Sequence, residues 1–207
     1  MSNNVLFIKG TPLPAGASRS LEVADVFLET YKALNPNDTI IEKDLFNVDV
    51  PYIDGDVLAG WAAFAAGAEL TDVQAKKVAA FGTFTDEFLN ADKIIIQSSM
   101  WNLSLPPQVK AYMDTLMVAG KTFKYTPTGP VGLMNGKKAI HIHGAGGVYS
   151  TNPGIDHSDS YIRAIFNFIG VEVAPTVWVE GIDYNPSEKE NIMSKAKETA
   201  LVAAKSF

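Results

Sequence analysis

The sequence predicts an α/β protein built on one open, five-stranded parallel sheet with helices on both faces. Five short, β-branched apolar runs recur along it, at Asn4–Lys9, Thr39–Leu45, Lys93–Ser98, Lys137–His143 and Val171–Val179. Segments with apolar residues at helical spacing lie between them. Loops dense in glycine, serine and proline follow the first, third and fourth runs. Strands alternating with helices give a parallel sheet with right-handed crossovers, and ligands gather at the carboxyl ends of such strands.

The 207 residues, 47% of them hydrophobic, suit one domain spanning 1–207. The chain has no cysteine. Disulfides, thiolate nucleophiles, iron–sulfur clusters and cysteine-ligated zinc are therefore excluded, and a reducing cytoplasm is expected. The start, Met1-Ser2-Asn3-Asn4-Val5, lacks a basic segment followed by a long apolar one. No apolar run approaches the ~20 residues a bilayer requires. Net charge is −6 and no Lys/Arg cluster occurs, which disfavours nucleic acid as a partner.

The first strand, Asn4–Lys9, runs into Gly10–Ser20, a loop of small, hydroxylated and turn-forming residues. The helix expected over Leu21–Leu34 can be capped by Ser18 or Ser20. A helix N-terminus after a hydroxyl-rich loop favours phosphate, and Arg19 could add a charge. Ordinary capping plus a surface arginine is the competing reading. The loop is no P-loop, because no Gly-Lys-Ser/Thr closes it.

Helices are expected over Val57–Ala66, with Trp61 and Phe64, and over Thr71–Asn90. The first is short and strongly apolar, so a partner subunit or the monomer itself can cover it. Lys93–Ser98 leads into Ser99-Met100-Trp101-Asn102-Leu103 and a helix over Pro107–Ala119, opened by proline. Met100, Trp101, Asn102 and Leu103 offer apolar surface, a flat ring and an amide, which suits a planar heteroaromatic ligand; they can equally just cover the sheet end. Gly120–Asn135 is too long for a bare connector, and Phe123 and Tyr125 alternate as in a hairpin.

Lys137–His143 is followed by Gly144-Ala145-Gly146-Gly147-Val148-Tyr149. Glycines there permit close backbone approach to a ligand, although the spacing is not a dinucleotide fingerprint. A helix over Asp159–Ile169, the last strand and a helix over Pro186–Phe207 complete the chain. His141 and His143 share a face of their strand, but a third metal ligand is not evident, and packed or hydrogen-bonded histidines are expected. His157 is expected at the surface. No nucleophile–base arrangement stands out, which points to a cofactor that carries the reaction. Five strands with functional loops after strands 1, 3 and 4 match the flavodoxin-like order 2-1-3-4-5, with a mononucleotide between the first and third strands.

With these loops in place the chain resembles the FMN-dependent NAD(P)H azoreductases and quinone reductases of the flavodoxin-like superfamily. Met100-Trp101-Asn102-Leu103 matches that family's M-[YW]-N-[FL] loop. Pro107-Gln108-Val109-Lys110, Ala119–Tyr125, Gly136–Ala139, Phe168-Ile169-Gly170 and Glu180-Gly181-Ile182 follow in family order. The resemblance implies non-covalent FMN, with NADH or NADPH as donor and catalysis by the flavin rather than by a side chain. It places Thr11, Ser18, Arg19 and Ser20 at the phosphate, and Met100, Trp101, Asn102 and Leu103 along the isoalloxazine. Gly144, Ala145, Gly146 and Gly147 would face the pyrimidine end, with Tyr149 nearby. Trp101, Phe123 and Tyr125 would form the acceptor wall. Where relatives carry Ser-Arg-Gly-Gly or Ser-Asn-Gly-Gly, this chain has Gly-Ala-Gly-Gly and lacks those polar side chains. The implied activity is two-electron reduction of quinones and reductive cleavage of azo compounds to amines, ping-pong through reduced FMN. A homodimer with a shared site is implied; a single-electron carrier and a flavin-binding regulator are the rival functions.

Overall fold

The structure, a computed structural model, describes residues 2–14, 16–151 and 154–207. In chain order the elements are β1 (Asn4–Gly10), α1 (Arg19–Leu34), β2 (Thr39–Asp44), α2 (Gly55–Ala65), α3 (Asp72–Asn90), β3 (Lys93–Ser99) and α4 (Pro107–Thr115). They continue as β4 (Phe123–Thr126), β5 (Gly129–Gly132), β6 (Lys138–Ala145), α5 (Asp159–Ile169), β7 (Glu172–Val173), β8 (Val177–Glu180) and α6 (Lys189–Ser206).

The main sheet runs β2-β1-β3-β6, with β7 and β8 both parallel to β6 at its far side. This is the expected 2-1-3-4-5 order with the fifth position shared by two short strands. The strand expected over Val171–Val179 is broken because Pro175 has no N–H to donate to a ladder. β4 and β5 form a separate antiparallel hairpin from the long excursion after α4.

Alternation along the strands supplies both cores. Leu6, Ile8, Ile94 and Ile96 face α3, α4 and α5, packing with Phe88, Tyr112 and Phe166. Val5, Phe7, Ile95, Ile140 and Ile142 face α1 and α6, packing with Phe27, Tyr31 and Ala200. A sheet covered on both faces explains why its strands read as unbroken apolar runs. Each fully buried Ile or Phe contributes about 1.5–3 kcal/mol relative to exposure.

Local chemistry sets the helix ends. Ser18 Oγ accepts the Leu21 N–H at 3.3 Å, so Ser18 caps α1 while Ser20 lies within it. Asp54 caps α2 through Val57 N–H at 2.9 Å, which starts that helix at Gly55. Thr71 and Gln74 form a capping box for α3. α5 has the expected bounds and ends at Gly170, whose φ of 90° suits a left-handed cap. Among the described residues, no helix is long and apolar enough to cross a membrane.

Candidate active site

The carboxyl ends of β1, β3 and β6 converge on a cavity of about 290 Å³. Ser18, Arg19 and Ser20 line it from the N-terminus of α1, Ser99 and Met100 from the end of β3, and Gly144, Ala145 and Gly146 from the end of β6. Leu13, Ala17, Val179 and Asp183 complete the lining. Parallel strands whose helices lie on opposite faces leave a crevice at this point of the sheet.

A hydroxyl chain forms its floor. Gln97 Nε2 donates to Ser20 Oγ at 2.8 Å, and Ser20 Oγ lies 3.2 Å from Ser99 Oγ and 3.4 Å from Ser18 Oγ. Gln97 is fully buried, and its Oε1 has no partner among the described residues. The positive end of the α1 dipole opens into the same space. Arg19 is paired with Asp183, at 2.7 Å.

The glycines keep the opposite wall thin. A Cβ on Gly144 would sit 2.9 Å from Ser20 Oγ, and one on Gly146 would collide with the Asp183 carboxylate. The β6 backbone thus reaches the α1 hydroxyls because it carries no side chain there.

The segment beyond Met100 is a tight two-residue turn. Trp101 N–H donates to Ser104 O at 2.8 Å and Ser104 N–H to Trp101 O at 3.0 Å. The two central residues, Asn102 and Leu103, have φ of 50° and 67°. Asparagine tolerates that region, but leucine is strained there, and such strain clusters at functional sites. Met100 N–H is engaged by Gly144 O at 2.7 Å, which ties the turn to the glycine strand. The N–H groups of Asn102 and Leu103 have no partner among the described residues. Trp101 is partly exposed, its ring 5.8 Å from that of Phe46.

Other sequence candidates lie apart from the cavity lining. Thr11 is buried and accepts the Leu13 N–H at 3.3 Å. The Tyr149 N–H donates to Glu180 at 2.6 Å, and its ring helps line a neighbouring cavity of about 430 Å³ with Val148, Ile155 and Tyr184. Gly147 lies beneath the Tyr184 and Tyr149 rings, 2.8 Å and 3.1 Å from where its Cβ would be. Phe123 is buried against Phe168 and Tyr125 on the β4–β5 hairpin, while Tyr125 is largely exposed. Neither lines the cavity.

His141 and His143 are both fully buried. His141 bridges Ser98 and Asp159, each at 2.9 Å. Burial, and then its neighbour His141, push His143 well below the ordinary histidine value. Among the described residues no group of three metal-ligating side chains converges. His157 is exposed, as expected.

The sequence did not single out Leu13, Ala17, Gln97, Ser99, Val179 or Asp183. Gln97 and Ser99 carried a signal, being polar at the end of an apolar strand. Asp183 directly follows the Glu180-Gly181-Ile182 segment, whose Gly181 has φ of 87° and so turns the chain back toward the site.

A serine-lined helix N-terminus facing a glycine strand at this crevice defines a mononucleotide-binding protein of the flavodoxin-like class. The comparisons agree with that geometry. The family model for the flavodoxin-like fold matches residues 3–203. The FMN-dependent NADH:quinone oxidoreductase 2 of Listeria innocua is 45% identical over 99% of this chain and 100% of its own length. Among solved structures, an azoreductase from Bacillus anthracis strain Sterne superposes with a TM-score of 0.94 at 37% identity, covering 100% of both chains. An FMN-dependent NADH-azoreductase from B. anthracis strain Ames Ancestor, solved in complex with FMN, gives 0.88 at 32% identity over 99% of this chain and 100% of that one. The chain belongs to the flavodoxin-like family and, within it, to the FMN-dependent NADH:quinone oxidoreductase and azoreductase group.

Proposed function

We propose that this protein is an FMN-dependent oxidoreductase that takes electrons from NADH, reduces quinones by two electrons and cleaves aromatic azo compounds to amines. The observation that carries the reading is the meeting of the α1 N-terminus, with Ser18 and Ser20, and the glycine end of β6 around one cavity.

The residues present fit FMN. Its phosphate suits the α1 N-terminus, where backbone N–H groups and hydroxyls can accept a dianion. The ring suits the wall made by Met100 and the β6 glycines, beside which the Trp101–Ser104 turn stands without itself lining the cavity. The unpartnered N–H groups of Asn102 and Leu103 and the Asn102 amide supply donors for a polar ring edge. Bound FMN supplies the two-electron chemistry itself.

The chain's own work is binding, orientation and exclusion of water. Ser20, held by Gln97 and Ser99, presents a preset hydroxyl, so little order remains to be imposed on binding. Met100 and Trp101 offer an apolar surface on which one planar substrate at a time can rest. Donor and acceptor therefore occupy that place in turn, which gives double-displacement kinetics.

The working unit in this reading is a homodimer of chains each forming one domain over 1–207. Trp61 packs on Phe81 of its own chain at 5.0 Å, but Leu58 and Phe64 of α2 are left exposed. Tyr125 and Val131 of the hairpin are exposed too, and a second copy can cover both surfaces. Phe123 and Tyr125 belong to the acceptor wall only in such an assembly. The use of NADH, an intracellular donor, supports a cytoplasmic location, and the net charge of −6 weighs against nucleic-acid partners.

Purified protein should carry a flavin absorption band, and mass spectrometry of the released cofactor should identify FMN. Anaerobic NADH should bleach that band in stopped flow, and initial rates at varied NADH and quinone should give parallel double-reciprocal lines. FAD in place of FMN, or no bleaching by NADH, defeats the reading; intersecting lines defeat the shared substrate place.

A further inference from the structure

Behind the cavity, on the α5 side of the sheet, lies a buried polar cluster that the proposed chemistry leaves unused. His141 bridges Ser98 and Asp159, and Asp159 is also held by Thr176 Oγ1 at 2.6 Å and Arg163 Nε at 2.8 Å. Beside this group neither ring nitrogen of His143 has a side-chain partner among the described residues. The Asp156 Oδ1 lies 3.8 Å from its Nε2, too far for a hydrogen bond.

Asp156 is itself only 2% exposed, yet it does not turn to the histidine. Its Oδ1 accepts the Ser158 N–H at 2.7 Å and its Oδ2 lies 3.3 Å from the Asp159 N–H donor. Those bonds fix the backbone just ahead of α5. His157 sits between them, and its N–H donates to the Leu103 carbonyl at 2.9 Å. Leu103 is the strained residue of the turn beside the cavity, and a left-handed leucine persists only where its surroundings over-determine it.

We propose that Asp156 is a positioning residue of the Trp101–Ser104 turn. By holding Ser158 and Asp159 it aims the His157 N–H at Leu103 and keeps the turn left-handed, with the Asn102 and Leu103 N–H groups free. The turn's part in binding FMN rests on the function proposed above; the mechanical link between Asp156 and the turn does not.

The test compares wild-type protein with Asp156→Ala and Asp156→Asn by amide hydrogen exchange of the flavin-free form and by FMN titration. In Asp156→Ala, exchange at the Ser104 and His157 amides should rise at least tenfold while the Ile94–Ile96 amides keep their rates. FMN affinity should fall about tenfold. Asp156→Asn retains one acceptor oxygen and should recover about half of both effects; if the alanine variant does not fold, a threefold effect in the asparagine variant carries the same expectation. Unchanged Ser104 exchange, or acceleration spread evenly over the β3 strand, overturns the proposal. Faster Ser104 exchange with unchanged FMN affinity also overturns the positioning role. A wild-type protein that binds no FMN defeats the flavin reading instead, and the exchange rates then still decide whether Asp156 holds the turn.

Discussion

The Arg19 guanidinium lies 2.7 Å from the Asp183 carboxylate, so the only cation lining the cavity among the described residues is already spoken for. A phosphate arriving at the α1 N-terminus meets a neutralised arginine and a nearby negative charge. The pair is exposed, and such pairs are worth about 0–1 kcal/mol. Asp183→Asn should therefore tighten FMN by a few-fold and leave riboflavin, which lacks the phosphate, unchanged. Arg19→Gln should weaken FMN by a similar factor. Fluorescence titration of the flavin-free protein with both ligands checks this; equal effects on FMN and riboflavin would show that the pair does not sense the phosphate.

Ser20 has two tasks that can be measured separately. Ser20→Ala removes the partner of the buried Gln97 Nε2, whose amide already has one unpartnered atom. Leaving a buried donor unsatisfied costs about 1–3 kcal/mol, which urea unfolding of the flavin-free protein should record. FMN binding should weaken more than riboflavin binding. Gly144→Ala pushes a methyl group to 2.9 Å from the same hydroxyl and should weaken both ligands together, because it displaces the wall rather than the phosphate contact.

The strand order and the three strand-end segments that line the cavity were legible because each is a local pattern. A β-branched run followed by small residues marks a buried strand with a loop at its end, and α5 was bounded by its own apolar spacing and a C-terminal glycine. What was not legible depends on chain-distant neighbours. Pro175 splits the last strand, so Arg163 reaches the Ala174 carbonyl at 3.0 Å in the gap, a contact no periodicity implies. Asp183 enters the site because Gly181 turns the chain back toward Arg19, 164 residues away in sequence. The left-handed geometry of Leu103 also has no sequence signal, since leucine is a poor choice for it.

Acid should destabilise the fold in two stages. His143 stays neutral in the folded protein because burial and then His141 oppose its charge, partly offset by Asp159. Asp156 also faces it, and Arg163 lies beyond Asp159. The unfolded chain takes up that proton near the ordinary value of 6.5, so stability falls as pH drops below it, by at most about 1.4 kcal/mol per pH unit. Burial would raise Asp159, but hydrogen bonds from His141, Thr176 and Arg163 hold it well below the carboxylate range. The hydroxyl of Tyr31, with the Asn3 backbone, holds Asp38 at about 2. Both acids contribute stability that is present above about pH 4 and lost as pH falls toward their folded values. Urea midpoints measured from about pH 7.5 to about pH 3 should decline first through the histidine step and again below about pH 4, and His143→Gln should flatten the first step alone. A flat wild-type profile between pH 7 and 5 would contradict it.

Trp101 offers the sharpest separation of chemistry from fold. Its backbone closes the turn with Ser104, whereas its ring touches only Phe46 among the aromatic side chains of the described residues and remains partly exposed. Removing the ring therefore leaves the turn's hydrogen bonds in place. A planar acceptor resting on the site loses one aromatic contact, worth about 0.5–1.5 kcal/mol beyond area burial. Each 1.36 kcal/mol is tenfold in rate, so Trp101→Ala should lower quinone turnover by roughly threefold to tenfold. FMN content and unfolding midpoint should stay near wild type, and Trp101→Phe should restore most of the rate. Steady-state rates with a quinone and an azo dye, alongside flavin content, measure all three quantities. A variant that keeps full acceptor turnover would remove Trp101 from the acceptor wall, and one that loses FMN in proportion to activity would assign the ring to cofactor binding instead.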